Sequence, residues 1–129
     1  MSFNPSSPVT GGAQTGLTSP TYTLTADTAP AANGKQYAVT ALGGTQTGVD
    51  VHSVARPFTL TQYRPTSPKV LGSPNPITGV VSNVPNNVYT TIVRKGVMPL
   101  AGQPSRVLTV ECKVSCPAGA DLADTLNVR

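Results

Sequence analysis

The chain has 129 residues, a length typical of one domain with a modest core. Only 11% of the residues are charged, Trp is absent, and Gly and Pro number 12 and 13. Thr and Val are frequent whereas runs of good helix formers are nearly absent, so the composition predicts a mainly β protein. No secretory signal opens the chain, and no apolar run approaches the roughly 20 residues that cross a bilayer. We therefore expect a soluble, cytosolic protein.

Alternation of apolar and polar residues, interrupted by turn residues, predicts a series of strands. In chain order the predicted elements are an arm or loose hairpin over residues 1–20, strands over 21–25, 35–42, 49–53, 56–64, 88–97 and 105–116, and the start of a helical region over 117–129. The dipeptide Asn33-Gly34 is the strongest turn signal. Residues 43–48, with their paired glycines, are a predicted loop. The sheet is therefore expected within residues 21–116.

Two further segments interrupt or follow these strands. Five prolines lie between Pro65 and Asn87, so this segment is excluded from the middle of a sheet and is predicted to be an extended connection. The helical region is expected to begin with Asp121 as its cap. Leu122 and Leu126 would then lie on one face of the helix.

The two faces of the predicted strands differ in chemistry, because successive side chains point to opposite sides. In the last strand the apolar face is Leu108, Val110, Cys112, Val114 and Cys116, and the polar face is Thr109, Glu111, Lys113 and Ser115. In the strand 56–64 the corresponding sets are Phe58 and Leu60 against Thr59, Thr61 and Tyr63. A sheet with one apolar side must bury that side. Because the chain offers no second layer, we expect a partner subunit.

Charge is concentrated in the middle of the chain, although the formal net charge is only +4. Between Arg56 and Lys113 a single acid, Glu111, accompanies the basic residues. These basic residues are Arg56, Arg64, Lys69, Arg94, Lys95, Arg106 and Lys113. The predicted sheet is therefore basic, which favours a polyanionic partner such as nucleic acid.

Residues suited to catalysis or metal binding are few. Cys112 and Cys116 lie four positions apart on one strand, about 13 Å, which is too far for a disulfide. Reduced thiols are expected, with intermolecular disulfides as the alternative. Zinc would need more ligands than these cysteines and His52 supply. Asp50 and His52 share one side of a predicted strand, but no nucleophile motif accompanies them. We predict no enzyme activity, no metal and no cofactor.

The order of several short motifs resembles that of the coat proteins of single-stranded RNA bacteriophages. The motifs are Arg56 to Thr61, Gly72 to Gly79, Val88 to Val97, Val114 to Asp121 and the final Asn127-Val128-Arg129. The resemblance covers roughly residues 21–129 and depends on the order of these motifs. It implies one coat-protein domain over 1–129 with an antiparallel sheet of about five main strands and a short C-terminal helix.

The resemblance also implies how the protein assembles. Family members form dimers whose sheets are continuous through the last strands, and C-terminal helices cover the outer face. The dimers close into an icosahedral shell, the virion capsid, which assembles in the host bacterial cytoplasm around single-stranded genomic RNA. A single-copy maturation protein is a further partner, and no membrane is involved. Many members also bind a hairpin of their genome and thereby repress translation.

The inner face of the sheet is the expected RNA-binding surface. The candidate residues are Thr59, Thr61, Tyr63, Thr109, Lys113 and Ser115, with Arg94 or Lys95 from the neighbouring strand. Cations would neutralise phosphates, hydroxyls would bond to them, and Tyr63 would stack on a base. The alternative is an ordinary solvated sheet face, and Glu111 opposes a phosphate at its own position. The predicted contact between dimers is the loop Met98, Pro99, Leu100, Ala101, Gly102, Gln103 and Pro104.

The sequence departs from the family pattern at its end, and two alternative functions remain open. The family continues beyond Asn-Val-Arg into a helical tail, whereas this sequence ends at Arg129. Either the tail is lost or the sequence is a trimmed one. The alternatives to a shell are another phage structural subunit, such as a tail or fibre protein without RNA, and a small dimeric RNA-binding regulator.

Overall fold

The computed structural model describes residues 3–128, so the predicted domain ends at residues 1 and 129 lie outside the described residues. The chain forms one antiparallel sheet in which the strands follow each other in sequence order. Its strands are β1 (Val9–Thr10), β2 (Leu17–Asp27), β3 (Gly34–Gln46), β4 (Phe58–Tyr63), β5 (Asn86–Val97) and β6 (Arg106–Pro117). The predicted mainly β, antiparallel fold is confirmed. β1 and β2 form the N-terminal hairpin that was one of two expected arrangements.

Strand β3 is longer than predicted, because it continues through the glycine pair that was expected to lie in a loop. Gly43 pairs with Thr21 across a shift in register, where β2 and β3 bulge. The amide of Gln46 holds this bulge, donating to the carbonyl oxygens of Thr21 (3.1 Å) and Gly43 (2.7 Å). Gly44 adopts a φ of 71°, a conformation that glycine accepts at little cost. The glycines therefore shape a strand instead of ending it.

The short strand predicted over 49–53 is absent, and this prediction was wrong. The segment crosses the end of the sheet, where the His52 amide donates to the Val39 carbonyl oxygen at 2.8 Å. The Phe58 amide in turn donates to His52 Nδ1 at 3.0 Å. Asp50 forms an ion pair with Arg56. Asp50 and His52 are thus engaged in joining β3 to β4.

The C-terminal helical region consists of two single turns, α1 (Ala120–Ala123) and α2 (Thr125–Val128). Gly119, with a φ of 85°, occupies the N-cap position, and Asp121 lies in the first turn. The prediction of Asp121 as cap was therefore wrong. Asp124 has a non-helical conformation (φ −137°, ψ 58°) and separates the two turns. Leu122 and Leu126 are both 85% exposed, so neither turn covers the sheet.

The register confirms the predicted separation of polar and apolar faces. Leu60, Val93 and Val110 are directly opposite each other across β4, β5 and β6, and Thr61 and Glu111 flank Ile92 in the next row. Directly opposed residues share one face of a sheet. Leu60, Val93 and Val110 therefore form part of one apolar face, which Tyr22, Leu24 and Phe58 continue towards the N-terminal hairpin.

Little of this apolar face is buried within the chain. The buried hydrophobic residues are Ala38, Val39, Cys116 and Ala118. The accessible surface is 8814 Å² for a 13.2 kDa chain, whereas a compact monomer of this mass exposes about 6,400 Å². The described residues contain no helix that is long and apolar enough to cross a membrane. The isolated chain thus lacks the burial that normally stabilises a domain.

The bulge at Gly44 leads to a stability prediction. Gly44→Ala should lower the free energy of unfolding by more than about 1 kcal/mol, the cost of a left-handed conformation for a residue with a side chain. A Cβ at this position would also collide with the backbone of Thr18 and Ser19. Urea unfolding at matched protein concentration measures the change. Gly12→Ala is the control, because its Cβ would meet no atom within 4 Å; equal midpoints for the two variants would contradict the prediction.

Candidate nucleic-acid interface

The polar face of the sheet is organised in rows that cross the strands. Tyr63, Thr90 and Lys113 form one row over β4, β5 and β6. Thr59, Arg94 and Thr109 form another. Both rows arise because polar residues occupy alternate positions on each strand. Hydroxyl groups and cations are thereby placed side by side, spaced by the roughly 4.8 Å between neighbouring strands.

A chain of hydrogen bonds ties the polar face together across four strands. Arg94 donates to the Thr61 hydroxyl at 3.3 Å, and this hydroxyl donates to Gln36 Oε1 at 2.9 Å. Gln36 Nε2 then donates to Asp27 Oδ2 at 2.7 Å. Hydrogen bonds from the Gln36 side-chain amide and from the Thr28 backbone amide hold the pKa of the Asp27 carboxyl below its usual value. Thr61, which belongs to this chain of hydrogen bonds, is 0% exposed.

The predicted RNA-binding residues fall into three groups in the structure. Thr109, Lys113 and Ser115 on β6 are exposed on the polar face, and Tyr63 and Arg94 are partly exposed there. Thr59 and Thr61 belong to the same face but are buried, at 5% and 0% exposure. Their hydroxyls are therefore covered by neighbouring side chains. The accessible part of the face is its β5 and β6 side.

Lys95 was one of two alternatives for β5 and lies on the apolar face. Adjacent residues of a strand point to opposite sides, so Arg94 and Lys95 cannot both line the polar face. The Lys95 ammonium lies 4.2 Å from the centre of the Phe58 ring, and it donates to the Asp50 carbonyl oxygen. Burial lowers the pKa of Lys95, an effect that Asp50 opposes and Arg56 reinforces. Lys95 is thus a structural contact at the end of the sheet.

Three residues of this face were not among the predicted site residues. Asp27 and Gln36 anchor the bonds below Arg94, and Thr90 lies between Tyr63 and Lys113. Their positions depend on the pairing of β2 with β3 and of β5 with its neighbours. Both alternating sets of β5 mix polar and apolar residues, so its sequence does not indicate which set is polar. Only the register shows it.

The basic residues of the sheet are divided between its two faces. Among the described strands the polar face carries the cations Arg94 and Lys113 and the anions Asp27 and Glu111. Lys113 forms an ion pair with Glu111 at 3.1 Å. Recognition of a polyanion here would depend on hydroxyls and a few cations more than on a broad positive field.

One long edge of the sheet has no partner within the described residues. β6 is the last strand, and every residue from Arg106 to Val114 is exposed. The strand also carries both cysteines, of which Cys112 is exposed and Cys116 buried, and both are free thiols. Such an edge presents a row of unpaired backbone donors and acceptors. It therefore favours pairing with another strand.

The loop that precedes β6, residues 98–104, projects from the same edge. All its residues are exposed, including Met98 at 49% and Leu100 at 67%. Arg56 contacts the Met98 sulfur at 3.1 Å, and the Ser105 hydroxyl donates to the Ala55 carbonyl oxygen at 2.6 Å. These contacts fix the base of the loop and leave its apolar tip free.

No constellation for metal binding accompanies these features. Across residues 3–128 there is no group of three or more His, Cys, Asp or Glu side chains placed to hold a metal ion. The hollow on the apolar face is lined by Val9, Tyr22, Leu24, Val39, Phe58, Leu60 and Val93. It is shallow and carries no polar group, so it is a surface for packing.

Comparison with known proteins agrees with this geometry. The chain is similar to a subunit in the structure of the virus-like particle of bacteriophage ESE020, with 57% sequence identity and a TM-score of 0.86. The match covers 98% of this chain and 82% of that one. No protein-family model and no curated protein matches the chain. Identity of this extent over nearly the whole chain establishes common ancestry as well as a common fold. The chain therefore belongs to the family of bacteriophage coat proteins and is a structural protein of the capsid.

Proposed function

We propose that two copies of this chain pair through β6 into a dimer and that the dimers close into an icosahedral shell around single-stranded RNA. The observation that carries the proposal is the one-sided sheet with a long free edge. In this arrangement β6 completes its backbone hydrogen bonds and the two apolar faces join into one continuous face. The role is structural and involves neither catalysis nor a cofactor.

The surface of the chain supports several contacts between subunits. Its area exceeds that of a compact monomer by about 2,400 Å², whereas a standard interface buries about 800 Å² on each partner. One dimer contact would account for only part of this excess. Further contacts between dimers, as in a closed shell, account for the rest. The exposed loop 98–104 is the proposed site of these contacts.

The polar face is the proposed RNA-binding surface. Its accessible side offers the exposed Lys113, Thr109 and Ser115, beside Arg94 and the aromatic ring of Tyr63. Lys113 and Arg94 would contact phosphates, and the hydroxyls would bond to phosphates and sugars. Tyr63 would stack on an unpaired base. A dimer through β6 doubles this surface, because the two accessible sides meet at the shared edge.

Translational repression by hairpin binding is a further role of the same face. It would use the dimer surface around β6, where two equivalent sets of side chains lie about a two-fold axis. A maturation protein would be a single-copy partner of the finished particle. Assembly would take place in the bacterial cytoplasm, where the genome is available.

A first experiment tests the shell and its contents together. Expression of this protein alone in bacteria should produce particles that resist dilution and contain host RNA. Electron microscopy detects the particles, and the ratio of absorbance at 260 and 280 nm detects the RNA. Particles free of nucleic acid would contradict RNA binding. Filaments or rings without RNA would favour a tail or fibre subunit, and RNA-bound dimers that never form shells would favour a regulator.

A charge substitution tests the polar face. Lys113→Gln removes one cation from each subunit and two from the dimer, so the slope of log K against log salt for single-stranded RNA should become shallower by about 1.4. Fluorescence anisotropy of a labelled oligonucleotide at several salt concentrations measures this slope, at protein concentrations where the variant is dimeric. Lys35→Gln is the matched control, because Lys35 lies on the apolar face, where its ammonium contacts the Phe3 carbonyl oxygen at 3.2 Å. Equal changes in both variants would contradict a specific polar-face site.

A substitution at the tip of the loop tests the contact between dimers. Leu100→Asp places a charge on a side chain that is 67% exposed in the single chain, so neither folding nor dimer formation should change. Shell closure should fail, because a charge would be buried between dimers without a partner. Size-exclusion chromatography and electron microscopy should show dimers in place of particles. Ile77→Asp, at a 93% exposed site outside the loop, is the control. Normal particles from Leu100→Asp would exclude the loop tip from the contact.

A further inference from the structure

We infer that the two copies of β6 pair in one particular register, in which the two-fold axis passes beside Cys112 and each Cys112 faces the partner's Cys112. This inference rests on the proposed β6 dimer and specifies its geometry. It follows from symmetry, from the length of β6 and from the charges on its polar face.

Symmetry limits the possible registers. Two identical strands can pair antiparallel through the same edge only if the two-fold axis is perpendicular to the sheet. Rotation about this axis keeps every side chain on its own face of the sheet. Directly opposed residues share a face. The position numbers of two opposed residues must therefore add up to an even number, and one residue of β6 lies opposite its own copy. The candidates near the middle of Arg106–Pro117 are Val110, Glu111, Cys112 and Lys113.

The length of the pairing favours two of these four. With Cys112 at the axis, residues 107–117 of each β6 pair, and with Glu111 at the axis, residues 106–116 pair. With Val110 or Lys113 at the axis, the paired segments shrink to residues 106–114 or 109–117. Shorter pairing leaves more backbone donors and acceptors without a partner. The choice therefore lies between Glu111 and Cys112.

Charge decides between the two remaining registers. With Glu111 at the axis, each Glu111 directly faces the partner's Glu111, and Lys113 faces the partner's Thr109. With Cys112 at the axis, each Lys113 faces the partner's Glu111. Like charges directly opposed across strands are unfavourable, whereas opposite charges are favourable. Lys113 and Glu111 already pair within one chain at 3.1 Å, so the dimer would carry four charges of alternating sign.

The apolar face is compatible with this register, although apolar contacts alone do not select it. With Cys112 at the axis, Val110 faces the partner's Val114, and Leu108 faces the partner's Cys116. Val110, Val114 and Leu108 are 57%, 47% and 52% exposed in the single chain, so this pairing gives each an apolar neighbour. With Glu111 at the axis, Leu108 would face the partner's Val114 and Val110 the partner's Cys112, so the apolar pairs are similar, and the cationic Arg106 would face the partner's Cys116. Cross-strand packing of β-branched and aliphatic residues is a main source of sheet stability.

This register makes the thiols a direct reporter. Opposed residues in antiparallel strands have Cα atoms about 4.5 to 5.5 Å apart. Disulfides form between Cα atoms about 4.4 to 6.8 Å apart. Oxidation should therefore join two chains through Cys112, although Cys112 and Cys116 of one chain are too far apart to bond. The reagent is diamide, which accepts two electrons and two protons from two thiols and leaves one S–S bond.

The experiment treats the full chain, as dimers and as particles, with diamide and separates the products on a denaturing gel without reductant. Wild type and Cys116→Ser should yield a covalent dimer that reductant removes. Cys112→Ser should yield none. In a Cys112→Ser/Cys116→Ser background, Val110→Cys alone and Val114→Cys alone should give no covalent dimer, and the two together should give one.

Other results would overturn the inference in distinguishable ways. If Cys112 fails to cross-link in Cys116→Ser but Val110→Cys added to that variant cross-links strongly, Glu111 lies at the axis. A covalent dimer from the single Val110→Cys variant would place Val110 at the axis. In both cases the β6 dimer stands and only the register is wrong. If native mass spectrometry detects dimers while every variant fails to cross-link, including Val114→Cys added to Cys116→Ser, which would bond to Cys112 with Lys113 at the axis, the proposed β6 interface itself is contradicted.

A charge exchange gives an independent test of the register. Glu111→Lys alone and Lys113→Glu alone should each raise the dimer dissociation constant, because each variant places like charges opposite each other. The double exchange should restore it, since every Lys again faces a Glu. Glu111→Gln separates the two registers: with Cys112 at the axis it removes the charge opposite Lys113 and should raise the dissociation constant, whereas with Glu111 at the axis it would remove a direct contact between like charges and lower it. Native mass spectrometry over a dilution series measures the dissociation constants.

Discussion

The rest of the structure depends on one constraint: a single antiparallel sheet has to satisfy the backbone groups of its edges and cover its apolar face. Within the described chain neither requirement is met at β6, because its residues are exposed on both faces as far as Val114. The two C-terminal turns leave Leu122 and Leu126 in solvent. The hydrophobic effect and the unpaired backbone groups thus both favour association with other copies. Assembly into a capsid follows from the incompleteness of the subunit.

The polar face is tied together by hydrogen bonds from β2 to β5 and is open to solvent at β6. From Asp27 to Arg94 the side chains bond to one another across β2, β3, β4 and β5, which buries Thr61 and fixes the Arg94 guanidinium. Beyond Arg94, the side chains of β6 are open to solvent. If this face binds RNA as proposed, an Arg94 held by Thr61 beside exposed hydroxyls would lose less side-chain freedom when the ligand binds.

The two proposals give Lys113 two tasks on this face. Lys113 is a candidate phosphate contact, and in the inferred register it also faces the partner's Glu111. The second task would make dimer formation and RNA binding depend on the same side chain. A coat protein built this way would present its complete proposed RNA surface only as a dimer. Nucleic-acid binding and assembly would then be coupled through the strand that both use.

Much of this protein could be read from its sequence, because β-strands reveal their faces through a period of two. The alternation of β4 and β6 predicted which residues are polar and which apolar, and the register confirmed it. Five prolines predicted that Pro65 to Asn87 lies largely outside the sheet, and strand β5 begins only at Asn86. The predictions of a strand over 49–53 and of a loop over 43–48 were wrong, because pairing with distant segments overrode the local sequence signals there. Long-range pairing is not encoded in a short window.

By itself, the sequence determined the fold class, the one-sided sheet and the need for a partner, since these depend on composition and alternation alone. Tertiary structure decided which predicted site residues share a surface. It placed the Lys95 ammonium over the Phe58 ring, on the face opposite to that of Arg94, and it buried Thr59 and Thr61. It also added Gln36 and Thr90 to the polar face. The physical reason is that a residue's face is set locally, whereas its neighbours and its exposure are set by the register between strands that are far apart in the chain.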